Sequence, residues 1–370
     1  MDPVKQQVKQ QVEDSVRRIA QAVLYEGYLL WPYRPSALKN RHRWTLGGIH
    51  PRAYGTAGGD AWYAQTQCLV EAAPEDTVDV EVRFLHAVAY DPARPREDGN
   101  GTRLEPVPEL MAGDLRHLPR EEATEREVPV CDLPLGVLVE HPHRVPIDVP
   151  AGREVEWLSD PSGRRVGAIV RTWRKVRGEV EIRAERSAPG VFRLTVLVVN
   201  TSGWEGDDRE EAMRRTLLSC HTVLRAHGDG DGGFVSLMDP PAELRTVAEG
   251  CRNIGVWPVL VGPEGTRDTM LSAPIILYDH PEIAPESPGD LFDSTEIDQL
   301  LTLSVLSLTD EERREIRDGD PRAREILDRC ASLTPDQLMR LHGTLRDVRP
   351  DMRPDMRPDM GPMTGEGPGT

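Results

Sequence analysis

The sequence predicts an α+β fold: an N-terminal amphipathic helix, an antiparallel β-sheet or sandwich-like middle, a mixed α/β and then helical C-terminal part, and a disordered tail. Three observations carry this expectation. Apolar residues recur at helical spacing near the start, period-two runs of β-branched residues fill the middle, and helix-capping signals punctuate the stretch after residue 200. The divisions that follow are 1–60 for the helix and an aromatic-basic segment, 61–200 for a β-rich domain, 201–347 for an α+β domain carrying an acidic segment, and 348–370 for the tail.

Val4, Val8, Val12, Val16, Ile19 and Val23 fall at spacings of three and four, one stripe of a helix over residues 3–30. Pro32 and Pro35 end it, because proline lacks the amide donor and restricts the residue before it. From Trp62 the period changes to two. Residues 77–90, 166–175, 179–185 and 192–200 read as strands, separated by turn clusters such as those at 160–163 and 188–190. The Pro-, Gly- and charge-rich stretch 91–126 reads as a long loop or insertion. Asp207 or Asp208 is placed to cap a helix running to about Leu224, and residues 256–262 and 273–279 read as two buried strands. Further helices are expected after Ser294, after the Thr309–Glu312 capping box, and from Thr334. The thrice-repeated RPDM of the tail cannot bury enough apolar surface to fold.

Net charge is −17 over 370 residues. Clustered cations drive sequence-independent binding to nucleic acid and to anionic membranes, so no nucleic-acid partner is expected. No run of apolar residues is long enough for a membrane span, and the polar N-terminus lacks the apolar core of a secretory signal. Five dispersed cysteines, without a Cys-x-x-Cys pair, suit a cytoplasmic protein and give no thiolate cluster. Neither a phosphate-binding loop, nor a nucleophile elbow, nor a zinc-protease motif occurs, and no cofactor is expected.

Two segments of opposite charge stand out. Between residues 31 and 54, Arg34, Lys39, Arg41, Arg43 and Arg52 mingle with Trp31, Tyr33, His42, Trp44, His50 and Tyr54, with no acidic residue. Arginine and aromatic side chains are enriched at protein interfaces, so this segment is a candidate partner-binding surface, with internal packing as the competing reading. Residues 279–328 hold 15 acidic and 5 basic side chains, opening with Asp279, His280, Glu282, Glu286 and Asp290. That cluster reads as a solvated or docking face, and alternatively as a divalent-cation or acid-base site of a metal-dependent hydrolase. Other constellations are weaker. His141 and His143 with Cys131 lack a third ligand at recognisable spacing, Cys220-His221 is placed on a helix where neighbours diverge, and the Gly-Asp run at 228–233 fails the calcium-loop pattern.

The stretches LYEGYLLWPYRPSALKNRHRW (24–44), CRNIGVWPVLVG (251–262), SAPIILYDHPEIAPE (272–286) and SPGDLFDSTEIDQLLTLSVLSLTDEERREIRDGDPRAREILD (287–328) resemble an uncharacterised family. Its members are encoded beside uptake nickel-iron hydrogenases in actinobacteria and other aerobic hydrogen oxidisers. The resemblance implies a non-catalytic accessory protein of hydrogenase maturation or assembly, whose partner is a hydrogenase subunit or another maturation protein. It transfers no residue roles. The candidate contact residues therefore come from the two charged segments: Trp31, Tyr33, Arg34, Lys39, Arg41, Arg43, Trp44, Asp279, Glu282, Glu286 and Asp290.

Overall fold

A computed structural model describes residues 17, 19, 20, 47–97, 102–113, 115–206, 208–228, 230, 232–281, 313 and 328. These belong to one unit of the chain, Met1–Ser332, and the other, Leu333–Thr370, lies outside them. In chain order the elements are α1 (Arg52–Gly58), β1 (Tyr63–Glu71), β2 (Thr77–Glu97), β3 (Thr102–Pro106), β4 (Leu110–Ala112), β5 (Leu115–His117), β6 (Arg120–Pro134) and α2 (Leu135–Glu140). There follow β7 (His143–Val149), β8 (Gly152–Ser159), β9 (Arg165–Trp173), β10 (Val176–Ala188), β11 (Val191–Asn200) and α3 (Arg209–Met213). The last are β12 (Leu218–His227), β13 (Gly233–Val235), α4 (Arg245–Glu249), β14 (Trp257–Leu260) and β15 (Thr269–Ala273).

Two antiparallel sheets pack face to face. One has the order β13-β1-β11-β10-β7, and the other β14-β15-β12-β2-β9-β8, with β6 and β3 also paired to β2. Alternation explains which side chains meet: Val176, Val180, Ile182 and Ala184 of β10 point inward while Arg177, Glu179 and Arg183 face solvent. They join Phe192, Leu194 and Val196 of β11 and Val78, Val80, Val82 and Phe84 of β2 in one core, to which α2 adds Leu135 and Leu138. Such a two-layer arrangement buries one face of each sheet against the other. A smaller core forms where Ile19 and Ala20 pack with Val223, Val259, Val261, Leu271 and Ala273.

The α+β expectation is corrected here. Strands from both sides of residue 200 share both sheets, so the described stretch 201–281 is part of the sandwich and not a helix-rich unit. The helix expected from Asp208 to about Leu224 stops after five residues at Met213, and β12 begins at Leu218. The physical reason is position. β12 lies between β15 and β2, is buried on both faces, and so lacks the alternation by which a strand is recognised in sequence. Cys220-His221 consequently sits in a strand, next to a bulge where Ser219 takes φ 49°.

The supposed insertion 91–126 is likewise β structure. The 21-residue β2 runs into it as far as Glu97, pairing first with β12 and β6 and then with β9 and β3, and β3, β4, β5 and the start of β6 follow. The strand expected at 273–279 is shifted to Thr269–Ala273. Of the N-terminal helix, Arg17, Ile19 and Ala20 are helical. The rest of that helix, the helices expected after residues 294, 309 and 334, and the tail lie outside the described residues.

Sheet edges are guarded. β6 carries Pro129 and a run of charged residues, β7 carries Pro146, and β13 has only three residues, all devices that discourage strand addition. Among the described residues no helix is long and apolar enough to cross a membrane.

Candidate functional site

Beyond β11 the chain builds an open cleft of about 880 Å³. Its walls are Arg52, Ala53 and Thr56 of α1, the loop Thr201–Glu205, and Asp208, Glu211 and Arg215 around α3. Local chemistry explains each wall. Pro51 precedes α1, where its missing N–H costs nothing, and Gly59 closes it with φ 79°. Asp208 caps α3, its Oδ1 accepting from the amides of Glu210 at 2.9 Å and Glu211 at 3.4 Å.

Asn200 joins the three walls. Fully buried, it donates through Nδ2 to the carbonyls of Ile49 and Arg215, both at 2.8 Å, and accepts from the Ser202 amide at 2.9 Å. Ser202 Oγ in turn accepts from the Arg177 amide at 2.9 Å. An amide side chain used at three points in a dry interior fixes the relative position of the segments it bridges.

Glu211 is the electrostatic centre of the floor. It accepts from Arg174 at 2.7 Å, Arg215 at 2.8 Å and Arg214 at 3.1 Å. These bonds, that from Arg174 foremost, hold its carboxyl down to about 2. Beside the floor, His50 and Thr216 share a hydrogen bond of 3.0 Å, and Thr216 donates its hydroxyl proton to the Ala212 carbonyl. His50 Nδ1 must therefore carry the proton of the shared bond, leaving Nε2 as the acceptor. Burial lowers the His50 pKa and favours the neutral ring.

Aromatic rings pack around two lining residues, Trp204 and Arg52. The rings of Tyr54 and Trp204 meet edge to face with centroids 5.1 Å apart, and His50 lies 5.3 Å from Tyr54. Arg52 stacks its guanidinium over Trp62, 4.6 Å from the ring centroid. Arg174, Arg214 and Arg215 all bind carboxylates, whereas Arg52 meets none among the described residues. Glu205, in the 201–205 loop of the lining, is exposed and also has no ion-pair partner among the described residues.

The sequence-predicted contact residues divide as follows. Trp31, Tyr33, Arg34, Lys39, Arg41, Arg43 and Trp44 lie outside the described residues, but His50, Arg52 and Tyr54, the end of the same basic-aromatic segment, form and back one cleft wall. Glu282, Glu286 and Asp290 also lie outside the described residues. Asp279 is a brace: Oδ1 accepts from the Leu260 amide at 2.8 Å and Oδ2 from the Ser236 hydroxyl. His280 adds its amide to the Leu260 carbonyl at 2.7 Å, while its ring Nδ1 lies 3.1 Å from the Gly262 carbonyl. Together they cover the free edge of β14. Removing the brace in Asp279→Ala is expected to lower unfolding free energy by about 1–2 kcal/mol, and to speed amide exchange at Leu260 and His280. Unchanged exchange at both would refute it.

The remaining constellations stay apart. His141, His143 and Cys131 are exposed, and among the described residues no three His, Cys, Asp or Glu side chains are grouped to hold a metal ion. Cys220 is a buried core thiol that desolvation pushes up to about 12, far from a nucleophile's range. What sequence reasoning missed is the role of Asn200 and Trp204. The only signal was the turn-rich run NTSGWEGD directly after a strand. Comparison with models of known protein families finds no match for this chain, and comparison with curated proteins finds none either.

Proposed function

We propose that this protein is a non-catalytic accessory factor that grips a nickel-iron hydrogenase subunit, or another maturation protein, during assembly in the cytoplasm. The likeness of residues 24–44, 251–262 and 272–328 to proteins encoded beside uptake hydrogenases supports this reading. One observation of geometry favours a grip over a reactor: the basic-aromatic segment ends at a cleft lined by Arg52 and Trp204, with Trp62 under the Arg52 guanidinium and Tyr54 against the Trp204 ring. Arginine, tyrosine and tryptophan are the side chains that dominate binding energy at protein interfaces, since they bring large contact area at small entropic cost.

The test is affinity capture with the full chain from a host expressing a nickel-iron hydrogenase, together with deletion of its gene. Recovery of a hydrogenase subunit or maturation protein, and loss of hydrogenase activity on deletion, are expected. Capture of neither, with normal hydrogenase activity in the deletion strain, would overturn the reading.

A further inference from the structure

We propose that the cleft between α1 and the 201–205 loop receives an acidic, apolar-flanked peptide segment of the partner, with Arg52 as the carboxylate-binding residue. This rests on the gripping role above and specifies the chemistry of what is gripped.

The argument is one of unmet capacity. Guanidinium groups near carboxylates form charge-assisted hydrogen bonds, and around this cleft they have done so: Arg174, Arg214 and Arg215 converge on Glu211, and Arg214 also reaches Glu121 at 3.1 Å. Arg52 departs from that pattern. Its flat face rests on Trp62, which fixes its orientation, while its edge meets no carboxylate among the described residues. A stacked guanidinium with a free edge is preorganised for an incoming carboxylate, because the rotamer entropy is already lost. The cleft lining also includes the Trp204 ring, which packs edge to face on Tyr54. The cleft volume of about 880 Å³ lies within the range of ligand-sized recesses.

Glu205 supplies the sign test. An acidic segment bound at Arg52 is repelled by this carboxylate-bearing residue of the lining, and a basic segment would be attracted by it. Neutralising Glu205 must therefore strengthen one and weaken the other.

Fluorescence anisotropy with the full chain and two fluorescein-labelled, C-terminally amidated peptides, (Glu-Phe)4 and (Lys-Phe)4, decides the matter. The glutamate peptide is expected to bind and the lysine peptide not. Arg52→Ala should weaken the glutamate peptide about ten-fold or more; Arg52→Lys, which keeps the charge but loses the fork, should fall in between. Glu205→Gln should tighten it about two- to three-fold. Because Arg52 and Glu205 are exposed, both variants are expected to keep the native melting temperature. Preference for (Lys-Phe)4, absence of binding to (Glu-Phe)4, or equal affinity of Arg52→Ala and the native chain would each overturn the proposal. Failure here is distinguishable from failure of the gripping role. If Arg52→Ala still captures the hydrogenase subunit, the cleft chemistry falls and the role stands. Arg52-dependent peptide binding without capture of any hydrogenase or maturation protein would leave the cleft and remove the role.

Discussion

Acid is expected to destabilise this protein steeply between about pH 6.5 and pH 4, well before the carboxylates of its surface are protonated. The cause is two histidines sealed in the sandwich. His86 is fully buried, and desolvation together with nearby Arg126 pushes it down to about 4 from 6.5. His221 is buried against Arg83 and is pushed down to about 4 by the same desolvation. In the unfolded chain both rings take a proton near the ordinary value of 6.5, whereas the folded chain resists until about pH 4. The unfolded state therefore binds more protons throughout this window, and stability falls as pH drops through it. Each histidine contributes roughly 3 kcal/mol over the full window, a sizeable share of the total stability of a domain. Glu211 acts lower on the scale. Its stabilisation is complete above the usual carboxylate value of 4.5 and is lost as pH falls toward about 2. Urea midpoints measured at steps from pH 7.5 to 4 should show the decline, and His86→Leu or His221→Leu should flatten it. An acid-insensitive midpoint in the native chain would show that these rings are hydrated after all.

Replacing Asn200 is expected to cost about 2–4 kcal/mol. In Asn200→Ala the buried Ser202 amide and the part-buried Arg215 carbonyl lose a partner, while the Ile49 carbonyl keeps the Leu217 amide at 3.0 Å across its bridge. Asn200→Asp is a sharper probe because its shape is nearly the same. It turns a donor into an oxygen facing the carbonyls of Ile49 and Arg215, and should cost at least as much. Equilibrium urea unfolding reads both. A control sets the scale: Arg164 is 82% exposed and 3.7 Å from Asp160, so Arg164→Ala should change stability by less than about 0.5 kcal/mol. Equal effects of Asn200→Ala and Arg164→Ala would mean that Asn200 is not the tie between α1, α3 and the 201–205 loop.

The strands that could be read from sequence are those with one wet face. β10 alternates in sequence because it alternates in burial, and its turn into β11 is announced by Pro189-Gly190, with Gly190 at φ 70°. β12 could not be read in this way. Its residues Leu218–Leu224 are buried on both sides, and the capping aspartate before them starts a helix of only five residues. β6 hid for the opposite reason: as an edge strand it tolerates the charges and prolines that look like a loop. Of the cleft, the sequence showed Arg52 and Tyr54 as members of a basic-aromatic segment and Asp208 as a cap. That Trp62 supports Arg52, or that Asn200 holds the walls, depends on residues brought together from different strands.

The sequence by itself determined the charge balance, the turns at 160–163 and 188–190, and the alternating strands, because each follows from the preferences of a residue and its near neighbours. Tertiary structure alone decided that the chain after residue 200 joins the same two sheets, and that one arginine at the cleft stands on an indole without a carboxylate. Pairing between strands over 100 residues apart, as between β2 and β12, is governed by burial and complementary edges across the whole core, which local preference does not encode.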